Sequence, residues 1–94
     1  MVQQSSEVAP QPQVALVTGS SGGIGAAVVD ALRARGDIVV GADLAPLAGQ
    51  DLAGFAELDV TDALQTTAVV RQVVAEHGRI DVLVHAAGVL GGTP

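Results

Sequence analysis

The sequence predicts an α/β fold in which thin helices cover a buried parallel sheet. Short apolar runs bounded by glycine alternate with segments of helical periodicity, which is the pattern of strands joined by helices. The 94 residues are 49% hydrophobic with a single aromatic side chain, and small residues of this kind suit thin helices on a buried sheet. Right-handed crossovers between such strands make them parallel.

The predicted elements follow the order strand, helix, strand, strand, helix, strand. The first helix opens within a glycine-rich turn and ends before Gly36, which suits a left-handed cap. The second helix begins after Thr61 or Asp62 as its N-cap and ends at Gly78. The four strands are predicted at residues 13–18, 37–42, 55–58 and 80–86.

Each predicted helix carries an apolar stripe at helical spacing that would face the sheet. In the first helix the stripe consists of three residues that lie four apart: Ile24, Val28 and Leu32. In the second helix it consists of four valines: Val69, Val70, Val73 and Val74.

Composition excludes several classes of function. The formal net charge of −6 argues against a nucleic-acid partner and against an anionic membrane surface, because both require a basic face. There is no cysteine, and two histidines are too few for a metal cluster without carboxylate ligands, so no metal site is predicted. No apolar run approaches the roughly 18 residues of a membrane span, and the N-terminus lacks signal-peptide features. We therefore expect a cytoplasmic protein.

The strongest motif is the glycine-rich segment, residues 18–25, between a predicted strand and a predicted helix. A dinucleotide diphosphate needs close backbone N–H donors, and a helix N-terminus offers unpaired N–H groups and a positive dipole end. Side chains would block that approach, so glycine is required. The alternative is a tight structural turn in a fold that binds no nucleotide. The candidate ligands are Gly19, Gly23 and Gly25, with Ser20 and Ser21 as additional hydroxyl donors.

The spacing Gly-xxx-Gly-x-Gly after a strand that ends in Thr18 resembles the fingerprint of the short-chain dehydrogenase/reductase family. By this resemblance Ile24, between the last two glycines, is also a cofactor-binding residue. This resemblance implies a Rossmann-type doubly wound parallel sheet in the order 3-2-1-4, truncated after the fourth strand. It makes residues 13–94 the N-terminal part of an NAD-binding domain. Residues 1–12 are polar, contain proline and are predicted to be a disordered leader. The 94-residue piece alone is expected to be unstable or to aggregate, because its fourth strand would be an open edge.

Asp43 is the predicted determinant of nucleotide choice. It follows the second strand, where a carboxylate can accept hydrogen bonds from the adenosine ribose hydroxyls and would repel a 2′-phosphate. An NADP site would need a basic side chain for that phosphate. The family often places one at the positions that hold Gly22 and Leu44 here, so the cofactor is predicted to be NAD. The alternative is that Asp43 only opens a loop before Pro46.

Asp59 and Val60 close the third strand and resemble the Asp-Val pair with which the family contacts adenine. By this resemblance the Asp59 carboxylate accepts from the adenine amino group and Val60 packs on the ring. The alternative role for Asp59 is as the cap of the following helix, and the two roles are compatible. Asp81 also matches the family and is predicted to be structural.

Residues 83–88, Leu-Val-His-Ala-Ala-Gly, resemble the family's Asn-Asn-Ala-Gly segment. By this resemblance Ala87 and Gly88 lie along the ribose on the nicotinamide side. The chain departs from the family at His85 and Ala86, where two asparagines are usual. We expect His85 to be a buried, hydrogen-bonded histidine that ties the central strands together, and not a catalytic base.

The resemblance implies an oxidoreductase that transfers hydride between nicotinamide and a small alcohol or carbonyl substrate. The family's proton-transfer group is a Tyr-xxx-Lys pair helped by a serine, and this chain contains no tyrosine and no lysine. No catalytic residue is therefore assigned. The alternatives are a non-catalytic NAD-binding module or truncated product, and a reductase piece of a larger synthase.

Substrate and assembly are inferred from the resemblance alone. The short stretch between the second and third strands, together with residues 86–90, is similar to 2,3-dihydro-2,3-dihydroxybenzoate dehydrogenases of catechol siderophore pathways. These oxidise a cyclic dihydrodiol with NAD. The full-length form is expected to be a homo-oligomer, either a tetramer or a dimer.

Overall fold

The structure is a computed structural model that describes residues 11–49 and 52–86. Four strands form one parallel sheet in the order β3-β2-β1-β4, which confirms the predicted order. The strands are β1 (Val14–Thr18), β2 (Ile38–Asp43), β3 (Phe55–Glu57) and β4 (Val82–His85). The helices are α1 (Gly23–Ala34) and α2 (Ala63–His77), and a short 3₁₀ helix (Leu52–Gly54) precedes β3. Of the predicted leader, only residues 11 and 12 lie within the described residues.

β1 lies at the centre of the fold, and all five of its residues are buried. Successive side chains of a strand point to opposite faces of the sheet. Leu16 packs with the α2 valines Val69 and Val73, whereas Ala15 and Val17 pack with Val29 of α1. The two helices therefore cover opposite faces, as in a doubly wound sheet.

The face that helix α1 presents to the sheet is rotated by about one residue from the predicted one, and it keeps two of the three predicted residues. Gly25 and Val29 are its buried residues, and Val28 and Leu32 are partly buried beside them. Ile24 is 44% exposed, so its place in the predicted stripe is wrong. Gly36 has the left-handed conformation predicted for it, with φ of 95°.

Helix α2 is capped at both ends as predicted. The Asp62 carboxylate accepts hydrogen bonds from the N–H groups of Leu64 and Gln65 at 3.0 and 3.2 Å, and Gly78 ends the helix with φ of 87°. Val69 and Val73 are buried, but Val74 is 42% exposed, so its predicted core position is wrong.

Two Arg-x-Asp sequences hold the beginning of β1. Before β2, the Asp37 carboxylate accepts from the N–H of Gln13 at 3.2 Å and pairs with Arg35. Before β4, the Asp81 carboxylate accepts from the N–H of Val14 at 2.8 Å and pairs with Arg79 at 2.8 Å. These contacts confirm a structural role for Asp81.

Within the described ranges, neither helix has the length and apolar character that a membrane crossing requires.

Candidate functional site

The carboxyl ends of the four strands meet at one edge of the sheet. From β1 the chain continues to β2 and β3 on one side, whereas β4 pairs with the other side of β1. In open parallel sheets, ligands bind outside the carboxyl ends of the strands where the strand order reverses in this way. The glycine-rich segment, Asp43, Asp59 and His85 all lie at this edge.

The glycine-rich segment leaves β1 through a turn that is bonded to β2. The N–H groups of Gly19 and Ser20 both donate to the carbonyl oxygen of Ala42, at 2.8 and 3.2 Å. Gly19 has φ of 73°, a left-handed conformation that favours glycine. The N–H of Gly22 donates to the Gly19 carbonyl at 3.1 Å, which closes the turn before α1 begins. The backbone of the segment is therefore fixed by the sheet itself.

The first turn of α1 has no side-chain cap. Gly22 is the N-cap residue, and Ala26 is the first residue whose N–H bonds back to it, at 2.8 Å. Within the described part of the chain, no residue accepts a hydrogen bond from the N–H groups of residues 23–25. The first turn contains no acidic residue. The donors of the two exposed residues, Gly23 and Ile24, and the positive end of the helix dipole are thus open to an anion, whereas Gly25 is buried.

Gly23 and Gly25 differ in what surrounds them. A Cβ at Gly25 would lie 2.0 Å from the Gly19 carbonyl oxygen, so the helix can approach the turn only because residue 25 is glycine. A Cβ at Gly23 would have no atom within 4 Å. Gly25 is thus required by packing, whereas the lack of a side chain at Gly23 keeps the surface at the helix start open.

The two serines of the segment occupy different environments. Ser20 is 1% exposed, and its hydroxyl has no hydrogen-bond partner among the described residues. Ser21 is half-buried; its N–H donates to Asp43 Oδ2 at 2.9 Å and its hydroxyl donates to the Ala45 carbonyl. Ile24, also a predicted cofactor residue, is exposed on the first turn of α1.

Asp43 ends β2 next to the glycine-rich segment. Its carboxylate accepts from the N–H of Ser21 through Oδ2 and from the N–H of Leu44 through Oδ1, at 2.9 and 2.7 Å. An ionised carboxylate has about four acceptor positions, so capacity for further donors remains. The bond to Leu44 is the turn-opening contact expected of an Asp before a loop.

Asp59 lies in the turn between β3 and α2. Its Oδ1 accepts from the hydroxyl and the N–H of Thr61, and these bonds hold the pKa of the Asp59 carboxyl below its ordinary value. The N-cap of α2 is Asp62, so the alternative that Asp59 caps the helix is wrong. Val60 is 37% exposed and lines a small apolar cavity of about 100 Å³ with Leu58 and other residues.

Gln65 contributes to this turn although sequence reasoning missed it. Its side-chain oxygen accepts from the N–H of Asp59 at 2.9 Å, and its side-chain nitrogen donates to Asp62 at 3.2 Å. The signal was present in the spacing Asp62-x-x-Gln65, since glutamine three residues after an N-cap reaches back across the helix start.

Thr18 and His85 connect β1 and β4 at the same edge. The Thr18 hydroxyl and His85 Nδ1 lie 2.7 Å apart, and the N–H of Ala86 donates to the Thr18 carbonyl at 3.1 Å. The predicted tie between the central strands is confirmed. The predicted burial is wrong, because His85 is exposed on an outer strand of the described sheet. Ala87 and Gly88 lie outside the described residues.

Among the described residues, no group of three or more histidine and carboxylate side chains is arranged to hold a metal ion. The chemistry of the edge is instead that of an anion and hydroxyl site: open N–H groups at a helix start, with a carboxylate one strand away.

Comparison with known sequences identifies the family. Residues 13–94 match the sequence profile described as short chain dehydrogenase. The chain belongs to the short-chain dehydrogenase family. This short-chain dehydrogenase sequence is 40% identical over 87 residues to (+)-borneol dehydrogenase 1 of Salvia officinalis, a match that covers 85% of the chain and 34% of that protein. It is 42% identical over 88 residues to D-threitol dehydrogenase of Mycolicibacterium smegmatis, covering 82% of the chain and 34% of that protein.

Solved structures of short-chain dehydrogenases have the same fold. The ligand-free aldohexose dehydrogenase of Thermoplasma acidophilum superposes with a TM-score of 0.76 at 33% identity, over 83% of this chain and 30% of that one. A short-chain dehydrogenase from Streptomyces avermitilis superposes with a TM-score of 0.69 at 39% identity, over 78% and 30% of the two chains. The chain spans about a third of the length of the curated relatives it matches.

Proposed function

We propose that this chain forms the NAD-binding part of an oxidoreductase that transfers hydride between nicotinamide and an alcohol or carbonyl compound. One observation carries the proposal: the uncapped start of α1, with its open N–H groups, lies beside the carboxylate of Asp43. A diphosphate needs the first and an unphosphorylated ribose needs the second. Family membership supports it, because short-chain dehydrogenases usually use nicotinamide cofactors.

Each predicted cofactor residue has a distinct part in this proposal. Gly19 and Gly25 shape the turn, and Gly23 and Ile24 offer N–H groups at the helix start. Ser20 and Ser21 lie within the same segment, next to the diphosphate. Asp43 binds the adenosine ribose; Asp59 and Val60 receive the adenine. Ala87 and Gly88, which follow β4, flank the nicotinamide ribose.

The nicotinamide, when bound, supplies the hydride carrier. The residues of this chain bind and orient the nucleotide, and no described side chain is assigned to move the substrate proton. His85 is held by Thr18 at the carboxyl edge, where it ties β1 to β4.

NAD is proposed in preference to NADP because the two positions where the family often places a cation for the 2′-phosphate hold none in this sequence. Asp43 is negative, and Gly22 and Leu44 occupy the places where a base would pair with a 2′-phosphate. The alternative in which Asp43 only opens a loop accounts for its bond to Leu44, and the bond from the N–H of Ser21 supports the ribose role by holding the carboxylate against the glycine-rich segment.

The substrate of the intact protein is a proposal of class only: a small alcohol or carbonyl compound. The relatives described above are named for borneol, threitol and aldohexose, so they favour no single substrate. They give the earlier hypothesis of a dihydrodiol no support, and turnover of 2,3-dihydro-2,3-dihydroxybenzoate by the intact protein remains its test. A homo-oligomer, without nucleic-acid or membrane partners and in the cytoplasm, is proposed for the intact protein.

The experiment that tests the proposal compares Asp43, which ends β2, with Asp37, which immediately precedes it. We expect Asp43→Asn in the intact protein to weaken NAD binding by about tenfold or more and to shift preference toward NADP, because a carboxylate bonds hydroxyls more strongly and repels phosphate. Asp37→Asn makes the same change just before the other end of the strand and should leave the ratio of the affinities for NAD and NADP unaltered. Equal NAD/NADP ratios for wild type and Asp43→Asn would remove the ribose assignment. Absence of NAD binding by the wild-type protein would remove the proposal altogether.

A further inference from the structure

Ser21 bridges two segments that are distant in sequence. Its N–H donates to Asp43 Oδ2 at 2.9 Å, and its hydroxyl donates to the Ala45 carbonyl oxygen at 2.5 Å. One residue of the glycine-rich segment thus binds both the side chain that ends β2 and the backbone two residues later. We call residues 43–45 the β2 exit.

Within the β2 exit, Asp43 is also anchored by the sheet, because it pairs with Glu57 of β3 and its carbonyl accepts from the N–H of Leu58 at 2.8 Å. The residues that follow Asp43 leave the sheet. Leu44 is 63% exposed, and residues 44–49 form neither helix nor strand. The second carboxylate oxygen of Asp43 accepts a hydrogen bond from the N–H of Leu44, at 2.7 Å. The direction in which the Asp43 carboxylate points is therefore determined by two backbone donors, one of which belongs to Ser21.

The hydroxyl of Ser21 has a separate effect from its N–H. Every residue except proline has an N–H at this position, so the bond to Asp43 does not by itself require serine. The bond to the Ala45 carbonyl does require a hydroxyl here, since a glycine or alanine has no side-chain donor. Serine thus holds the β2 exit closed against the segment and keeps the N–H in place for Asp43.

We propose that Ser21 is a positioning residue for nucleotide selection: through the Ala45 carbonyl and the Asp43 carboxylate it fixes the ribose-binding acid before the cofactor arrives. This inference rests on the proposed function, because it takes Asp43 as the residue that reads the ribose. An acid held in one orientation needs no further ordering when the nucleotide binds. Binding therefore loses less conformational entropy, and the affinity is higher. A carboxylate that is fixed beside the ribose also cannot turn away from a 2′-phosphate, so it repels NADP more strongly and raises the preference for NAD.

Ser21→Ala in the intact protein removes the hydroxyl and keeps the N–H. Without nucleotide, we expect amide hydrogen exchange at Ser21 (now alanine) and Leu44 to become at least about threefold faster, the effect of losing one ordinary hydrogen bond. The dissociation constant for NAD should rise by a similar factor, that for NADP should change less, and the preference for NAD should fall.

Three further variants keep the test decisive. Ser21→Thr retains a hydroxyl and should restore exchange rates and nucleotide preference close to wild type. Ser21→Cys keeps the size of the side chain but donates poorly, so it should behave like alanine even if alanine packs badly. Thr67→Ala removes another hydroxyl that donates to a backbone carbonyl, that of Ala63 at 3.0 Å in α2, and should change none of these quantities.

The failure of this inference differs from the failure of the proposed function. If wild-type protein binds NAD and depends on Asp43, but Ser21→Ala and Ser21→Cys exchange at the wild-type rate or keep its nucleotide preference, the role of Ser21 is overturned alone. If the wild-type protein binds no NAD, the proposed function is overturned and this inference falls with it.

Discussion

The two helices of this chain follow strands of the same sheet but begin differently. At α2 the Asp62 carboxylate accepts from the N–H groups of Leu64 and Gln65, so the helix start is closed by its own side chain. At α1 the N-cap is Gly22, which has no side chain, and the N–H groups of residues 23–25 donate to no acceptor among the described residues. One start is built for stability and the other leaves its donors open.

This difference indicates where a ligand is expected. An N-cap side chain contributes about 1 kcal/mol to helix stability relative to alanine and a few tenths of a kcal/mol relative to glycine, and α1 forgoes this smaller contribution. The sheet compensates by fixing the turn, because Gly19 and Ser20 bond to Ala42 and Gly25 packs on the Gly19 carbonyl. An open helix start in a fixed turn is suited to an anion, and a dinucleotide diphosphate is the anion proposed here.

The largest expected effect comes from replacing glycines at the start of α1, where Gly25 is needed for packing and Gly23 for access of the ligand. Gly25→Ala places a methyl group 2.0 Å from a backbone oxygen, so we expect a loss of about 3 kcal/mol or more in the free energy of unfolding, with NAD binding lost as well. Gly23→Ala meets no atom and should alter stability by less than about 1 kcal/mol. It should nevertheless weaken NAD binding by about tenfold or more if the diphosphate lies there. Thermal unfolding and NAD titration of both variants in the intact protein check this. Gly23→Ala that binds NAD as wild type does would break the comparison.

A smaller effect comes from making the two helix starts alike. Gly22 has an extended backbone, with φ of −81° and ψ of 167°, and a Cβ there makes only ordinary contact, so Gly22→Asp can cap α1. We expect the free energy of unfolding to rise by about 0.5 kcal/mol. NAD affinity should fall by about tenfold or more, because the new carboxylate occupies the N–H donors and repels the diphosphate.

Asp62→Ala is the reciprocal change and should cost about 1 kcal/mol with NAD affinity near wild type. Chemical denaturation and NAD titration measure both quantities. If Gly22→Asp leaves NAD affinity unchanged, the open start of α1 is not the binding surface.

The smallest effect lies at the opposite edge of the sheet, where carboxylates serve structure. The hydrogen bond from Arg79, and then that from the N–H of Val14, hold the pKa of Asp81 below its ordinary 3.8. A carboxyl whose pKa is lower in the folded state stabilises the protein above its unfolded pKa, and that contribution disappears as the pH falls through the folded pKa. Asp81→Asn should therefore be less stable than wild type at neutral pH, and the gap should close below about pH 4. A gap that stays constant from pH 7 to pH 3 in denaturation curves would contradict this role.

The succession of strands and helices along the chain and the glycine-rich segment could be predicted from local signals, whereas the order of the strands in the sheet was predicted from the family resemblance. Glycines interrupt the apolar runs, and the segment lies between a strand and a helix, as its chemistry requires. The cap at Asp62 and the left-handed glycines Gly36 and Gly78 were predictable for the same reason.

The rotation of the helices was not predictable to within one residue. Apolar residues at 24, 28, 29 and 32 of α1 fit two neighbouring stripes. The choice between them is made by the contact of Gly25 with the Gly19 carbonyl, which turns Val29 toward the sheet and leaves Ile24 exposed. Val74 of α2 lies beside the buried line of Val69 and Val73 in the same way.

The contacts made across the carboxyl edge also required the structure. Ser21 and the Ala45 carbonyl are 24 residues apart in the chain, and no periodicity relates them. His85 is exposed in the described sheet because β4 is an outer strand there, as the predicted order already implied, and the expectation of a buried His85 did not take that order into account. Hydrogen bonds between segments far apart in sequence determine the details of this site, whereas local patterns determine its location.

The most direct test is a crystal structure of the intact protein with NAD. The account predicts the diphosphate within hydrogen-bond distance of the N–H groups at the start of α1, and the adenosine ribose on the Asp43 carboxylate. A cofactor bound anywhere away from residues 18–25 would contradict it.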